Sequence, residues 1–272
     1  AMEYAGQTLS KVASIFYAVM EAHTDETKQQ IAEQISPMLT EYSMYVSLNN
    51  DLFQRVKAVY EKKDELGLDQ DQMTLLEDNY KSFVRGGANL SDEDKAVYSK
   101  LSEELSLTTL QFSKNVLAAT NAYTLHVTDS AELGGLPEFV KTMAAETAAE
   151  KGLEGWAFTL DYPSYSPFLK YSTNRELRKQ VWMAYNTRAI GGEHDNTEIV
   201  KKIIDLRIKI ANILGYETYA DYALEERMAK NKQTVDEFVM QLLKPSMEFA
   251  KKDVADVLAY AKKNGFEENV LQ

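Results

Sequence analysis

Apolar residues recur along this chain at three- and four-residue intervals, and a capping residue opens most of the runs. That spacing lays one apolar stripe on each successive helix, and so commits the chain to a helical fold. Leu9, Val12, Ile15, Phe16, Val19 and Met20 make the first stripe. A second helix is predicted after Thr24, with Ile31, Ile35, Met38 and Leu39 inward and a kink at Pro37. Asn49 or Asn50 caps a third, which carries Leu52, Val56, Val59 and Tyr60 and closes at Gly67. Leu75, Leu76, Tyr80, Phe83 and Val84 mark a fourth that ends at Gly86-Gly87. Ser91 then opens a long helix whose first turn holds Asp92, Glu93 and Asp94, charges that suit the positive end of a helix dipole.

Further starts are expected at Thr173 with Glu176, Asp195 with Glu198, and Thr234 with Glu237. The first and last have the S/T-x-x-E form of a capping box. Pro245 predicts a kink or break in the last helix. Two stretches leave the helical pattern: Tyr123 to Thr128 alternates and is β-branched, and Trp156 to Leu160 is similar. Between them Pro137 opens a short helix ending near Gly152, and after them DYPSYSP reads as a proline-marked loop. Twelve glycines and five prolines in 272 residues leave room for long regular elements. The expected fold is mainly α, with a small β element around 123–128 and 156–160. Three segments follow: a helical bundle over 1–120, short strands and loops over 121–172, and a second helical group over 173–272. No period of 20 to 50 residues recurs, which argues against a solenoid.

Forty-two acids against 30 Lys and Arg give a formal net charge of −12. Binding to nucleic acid or an anionic membrane needs clustered positive charge, so both are excluded as main roles. Without cysteine there is neither a disulfide nor a thiolate metal site. No stretch has the roughly 20 apolar residues of a membrane span. AMEYAGQTLS has no leader character, so a cytoplasmic protein is expected, or a periplasmic one if a leader was removed. The closing FEENVLQ carries no stabilising motif and points to a cut chain.

Few residues announce chemistry. There is no G-x-S-x-G elbow, P-loop or G-x-G-x-x-G. A di-iron bundle wants Glu-x-x-His, and the residues three before the histidines are Met20, Tyr123 and Gly191. Tyr216, Tyr219 and Tyr222 recur every third residue and either line a groove or pack as core with polar tips. Arg175, Arg178 and Arg188 flank Tyr185 and suit a bidentate grip on a peptide carboxylate, in competition with ion pairing to Glu176 or Glu193.

Four segments occur in order: ANLSDEDKAVYSKLSEELS, QFSKNVLAATNAYTLHVTD, YSTNRELRKQVWMAYNTRA and LRIKIANILGYETYADYALEERMAKN. Together they resemble the N-terminal half of the thimet-oligopeptidase-like zinc metallopeptidases, nearest the bacterial peptidyl-dipeptidase branch, over residues 5–260. The resemblance implies an almost all-helical, two-lobed enzyme with a deep channel that admits short peptides. In that family H-E-x-x-H and a later glutamate hold zinc in the C-terminal lobe. This sequence has no such pair: His23, His126 and His194 are far apart. Each has a plainer reading, as charge at a helix end, a half-buried strand histidine and a solvent-facing loop residue.

The chain is therefore expected to be a channel wall, inactive alone. No catalytic or metal-ligating residue transfers to it, and zinc is a cofactor of the parent protein only. Its partners would be short peptides, bound through the missing lobe. Arg175, Tyr185, Arg188, Tyr216, Tyr219 and Tyr222 are its channel candidates. The alternatives are an all-α adaptor and a degenerate peptide-binding module. A lobe built to pack on another should also leave an apolar face open, near Tyr216 to Met228 and around Pro245.

Overall fold

The computed structural model describes residues 5–271. Residues 1–4 and 272, within the expected bounds of the first and third segments, lie outside the described residues. Among the described residues there are eleven α-helices and one two-stranded antiparallel sheet, so the fold is mainly α. The chain divides into two compact units, Ala1–Arg207 and Ile208–Gln272.

The first unit begins with α1 (Gln7–Ala22), α2 (Glu26–Ser47), α3 (Asn50–Tyr60), α4 (Gln70–Arg85) and α5 (Asp92–Ala122). Their starts follow local hydrogen-bond chemistry. The Asn49 side chain accepts the Leu52 N–H and the Ser91 side chain accepts that of Asp94, as the spacing predicts. Asp25, the residue after Thr24, caps α2, and a capping box of Asp69 and Gln72 opens α4. Helix α3 stops at Tyr60, short of Gly67, because a 3-10 turn over Lys63–Glu65 intervenes. Helix α2 runs along α5, joined by the Ser36–Ser106 hydroxyl pair at 2.8 Å and by Lys114 to Glu33 at 2.6 Å. Phe53 and Val56 of α3 and Phe83 of α4 build a small core.

The second part of this unit is more tightly packed. Strands β1 (Leu125–Val127) and β2 (Trp156–Phe158) pair antiparallel, Leu125 opposite Phe158. The two stretches of broken helical pattern thus form one antiparallel pair, with α6 in the connection between them. Helices α6 (Glu138–Glu150), α7 (Tyr162–Tyr171) and α8 (Arg175–Asn186) close over it. Val140, Phe158, Phe168 and Val181 are the centre of that core. Two glycines permit the close approach. Gly155 has φ +88 and its missing Cβ would sit 2.5 Å from the Val127 carbonyl oxygen; Gly135, at φ +80, lies against the Tyr171 carbonyl.

Three expectations are corrected here. DYPSYSP is not a loop but the start of α7. Pro163 sits in the first turn, where no helical N–H is needed, and the Asp161 carbonyl accepts from Ser164 and Tyr165. Helix α8 is capped by Asn174, not Thr173, whose N–H is taken by the Gly134 carbonyl at 2.8 Å. Helix α11 (Lys232–Lys263) starts earlier than Thr234: Asn231 is its cap and accepts the Thr234 N–H at 2.9 Å.

In the second unit α10 (Tyr219–Leu224) contacts α11, with Lys232 paired to Asp221 at 3.0 Å. α9 (Thr197–Ile213) spans the division between the units. α11 runs through Pro245 without a break; one backbone bond is lost there while the ladder continues on both sides. None of its 32 residues is buried. Phe238, Leu242, Leu243, Met247, Phe249 and Val254 are all exposed, so apolar surface is open around Pro245 as expected, in two rows (238, 242, 249 and 243, 247, 254) on different sides of the helix. Met228, in the other segment named, is exposed as well.

Candidate functional site

The best-formed polar feature of the first unit stands where α7, α8 and the turn after α8 meet. Tyr165 of α7 stacks on Tyr185 of α8, with centroids 4.0 Å apart and planes within 2°. The Arg188 guanidinium carbon lies 3.8 Å from the Tyr185 centroid. Two groups that close to one centroid cannot share a face, so Tyr185 is held between them. Arg188 Nη1 also donates to the Tyr185 carbonyl at 2.8 Å, one of the last-turn oxygens that a helix leaves without a partner. Tyr162 meets the edge of Tyr165 at 6.4 Å. Stacking, a cation–π contact and a backbone bond thus fix one guanidinium.

The turn that carries Arg188 is itself anchored. Ala189 takes a left-handed φ of 57 and is 8% exposed, a strained position for a residue with a Cβ. It is held because its carbonyl accepts the Asn196 N–H at 2.9 Å. Asn196, 4% exposed, accepts from Asn115 of α5 at 3.0 Å and donates to the Phe112 carbonyl at 3.0 Å. Gln111 completes the chain by donating to Asn115 at 2.7 Å. Asp195 gathers Gly191 N–H, Thr197 N–H and the Thr197 hydroxyl. The Thr197 hydroxyl foremost, then the Gly191 and Thr197 N–H groups, hold its carboxyl below the usual 3.8.

The arginines divide in role. Arg178 donates to the Ser172 carbonyl at 2.6 Å and so closes the end of α7. Among the described residues neither Arg178 nor Arg188 has a carboxylate within ion-pair range, so the expected pairing of these two with Glu176 or Glu193 does not occur. Arg175 is half-buried at the first position of α8. Sequence reasoning missed Tyr165, because its segment looked like a loop. It also missed Asn115 and Asn196, whose only sequence signal is a polar residue on an otherwise apolar helix face and an Asn just before a helix.

In the second unit Tyr216, Tyr219 and Tyr222 do come together, although not on one helical face. Tyr216 precedes α10, and its ring meets Tyr222 edge-on at 5.2 Å; Tyr219 and Tyr222 lie 6.0 Å apart. The Tyr216 hydroxyl donates to Glu225 at 2.5 Å. A Thr218–Asp221 capping box sets the helix start that brings the rings together. The Thr218 hydroxyl foremost, then Lys232, lowers the Asp221 carboxyl pKa.

The histidines are on separate elements. His23 is the C-cap of α1, His194 lies half-buried in the turn before α9, and His126 lies on β1. His126 is exposed, not half-buried, because Leu125 and Val127 take the inward positions; its Nε2 lies 2.6 Å from the Glu154 carbonyl oxygen. Among the described residues no three His, Cys, Asp or Glu side chains are grouped to hold a metal ion.

Comparison with known proteins places this architecture. Residues 168–271, from α7 to the last described residue, match the model of peptidase family M3. The dipeptidyl carboxypeptidase of Escherichia coli K12 is 33% identical over 261 residues, covering 95% of this chain. These matches support a place for the chain among the thimet-oligopeptidase-like peptidases of family M3. Oligopeptidase A of the same bacterium is 35% identical over 235 residues, 85% of the chain. A thimet-like oligopeptidase of Dictyostelium discoideum is 27% identical over 230 residues. The chain spans 38%, 35% and 33% of the lengths of these three M3 relatives. Among the described residues no helix is long and apolar enough to cross a membrane.

Proposed function

We infer that the chain is the N-terminal, non-catalytic lobe of a zinc metallopeptidase that hydrolyses short peptides and releases C-terminal dipeptides. It forms one wall of the substrate channel and is inactive alone. Zinc and its ligands belong to the other lobe, and the peptide is held between the two. The segments 1–120, 121–172 and 173–272 are the bundle, the strand-and-loop insert and the second helical group of this wall. Arg175, Tyr185, Arg188, Tyr216, Tyr219 and Tyr222 line the channel. The protein works in the cytoplasm, or in the periplasm if a leader is removed.

One observation carries this reading. The family match covers α8 to α11, and the long α11 exposes large apolar side chains with no residue buried, as the shorter α1 does outside the matched segment. An exposed apolar surface of that extent is a docking face, not an ordinary monomer surface. The likeness to a dipeptidyl carboxypeptidase supports the dipeptide-releasing branch, and that to oligopeptidase A supports an oligopeptide substrate.

The test begins with the gene. Codons beyond 272 should encode H-E-x-x-H on a helix, which places two imidazoles on one face with a glutamate as base. A stop codon at that point would end the peptidase reading. The isolated chain should release no C-terminal dipeptide from a short peptide. Chelator-sensitive release by the 272-residue chain would overturn the assignment of catalysis to the other lobe.

A further inference from the structure

We propose that Arg188, held on the Tyr165–Tyr185 stack, is a binding site for the C-terminal carboxylate of a peptide. The proposal rests on the peptidase reading only for the nature of the ligand; the site itself is argued from its geometry.

A guanidinium has five N–H donors in one plane. One Nη1 donor of Arg188 is used on the Tyr185 carbonyl, and its planar face is used over the Tyr185 ring. Neither contact takes the remaining in-plane donors, and among the described residues no carboxylate meets them. Arg188 is half-buried, so a fork–fork pair with a carboxylate there is worth more than one in open water. Tyr185 cannot turn away, because Tyr165 covers its other face. Asn196 and Asn115 lock the strained turn at Ala189, so the cation is in place before a ligand arrives.

The local charge agrees. Residues 162–196, which are α7, α8 and the turn after them, hold Lys170, Arg175, Arg178, Lys179 and Arg188 against Glu176, Glu193 and Asp195, a balance of +2 within a chain of −12. A positive region on an acidic molecule draws anions to it. Arg178 makes a like bond to the Ser172 carbonyl, but among the described residues no ring holds its guanidinium, so Arg188 is the more firmly placed of the two.

The experiment observes the Arg188 Nε–Hε NMR signal in the 272-residue chain. Three probes are titrated: acetyl-Ala-Ala with a free C-terminus, acetyl-Ala-Ala amide, and acetyl-Glu-Ala amide. The free acid should shift the signal and bind at least about tenfold tighter than either amide, the loss expected for one charge-assisted pair. Arg188→Lys should lose that preference while its charge remains, because an ammonium cannot form the fork. Tyr165→Leu should weaken binding of the free acid by a few-fold without removing the guanidinium. The wild-type signal needs no variant to fold. Equal shifts with acid and amide, or none with either, would overturn the site. Equal binding of the glutamyl amide would overturn the α-carboxylate assignment. The result is separable from the peptidase reading, since the codons beyond 272 decide that one independently.

Discussion

Helices α7 and α11 each contain an internal proline and a phenylalanine close to it, and they meet opposite fates. Phe168 follows Pro167 and is 0% exposed, with Phe158 4.6 Å away centroid to centroid. Phe249, one turn after Pro245, is 69% exposed. Both helices have an apolar stripe; only α7 has its cover within the unit. The contrast separates two kinds of apolar surface, one that folds this chain and one kept for something else. The first is closed by β1, β2, α6 and α8, and the second runs over most of a 32-residue helix.

The largest expected effect breaks the packed side. Phe168→Ala should cost about 3–5 kcal/mol, since it opens a cavity in a core that cannot collapse around it. Urea unfolding followed by circular dichroism reads this directly. Phe249→Ala, the same substitution on α11, should move the stability of the 272-residue chain by no more than about 0.5 kcal/mol. If the two variants cost alike, the comparison fails.

Asn196→Ala lies between these extremes. It removes one acceptor of the Asn115 amide and one donor to the Phe112 carbonyl, while Gln111 and the Asp195 carbonyl still bond Asn115, at about 1–3 kcal/mol. Hydrogen exchange should rise at residues 189–197 before the rest of the unit, because that network is what holds the left-handed Ala189. Uniform loss across the unit would assign the network to the core instead of the turn.

Acid should have the smallest effect, and a local one. Asp195 has a folded pKa below its ordinary value, so its contribution is present above the unfolded pKa and is lost as pH falls through the folded one. Between about pH 5 and 2 the turn amides Gly191 and Thr197 should lose protection in the wild type. Asp195→Asn should show a much flatter response over that range. An equal response in both would point to other carboxylates.

Much of this was legible because local chemistry decides it. Asn49 and Ser91 cap the helices they precede, and YTLHVT alternates as a strand must, an alternation that turns His126 outward where a half-buried histidine is expected. The misreadings share one cause, competition between neighbours for the same role. Thr173 and Asn174 are both able caps, and a distant carbonyl at Gly134 settles the choice. Thr234 looks like a cap but is the residue whose N–H Asn231 accepts. DYPSYSP reads as a loop unless Pro163 is known to fall in a first turn.

The site was legible by halves. Tyr185 and Arg188 stand three apart on the sequence, as helix-end neighbours do, so their contact was within reach. Tyr165 enters only through the packing of α7 on α8, and Asn115 only through the placement of α5 beside the turn. Apolar periodicity shows that a helix faces something; it does not say whether that partner lies within the same unit. Helix α11 is the case in point.

Hydrogen–deuterium exchange across residues 235–260 tests the central claim, measured in the 272-residue chain and in the full gene product. The account predicts exchange at least about tenfold slower in the longer protein, as a second lobe covers the apolar face. Equal exchange in the two would mean that nothing docks on α11, and would contradict it.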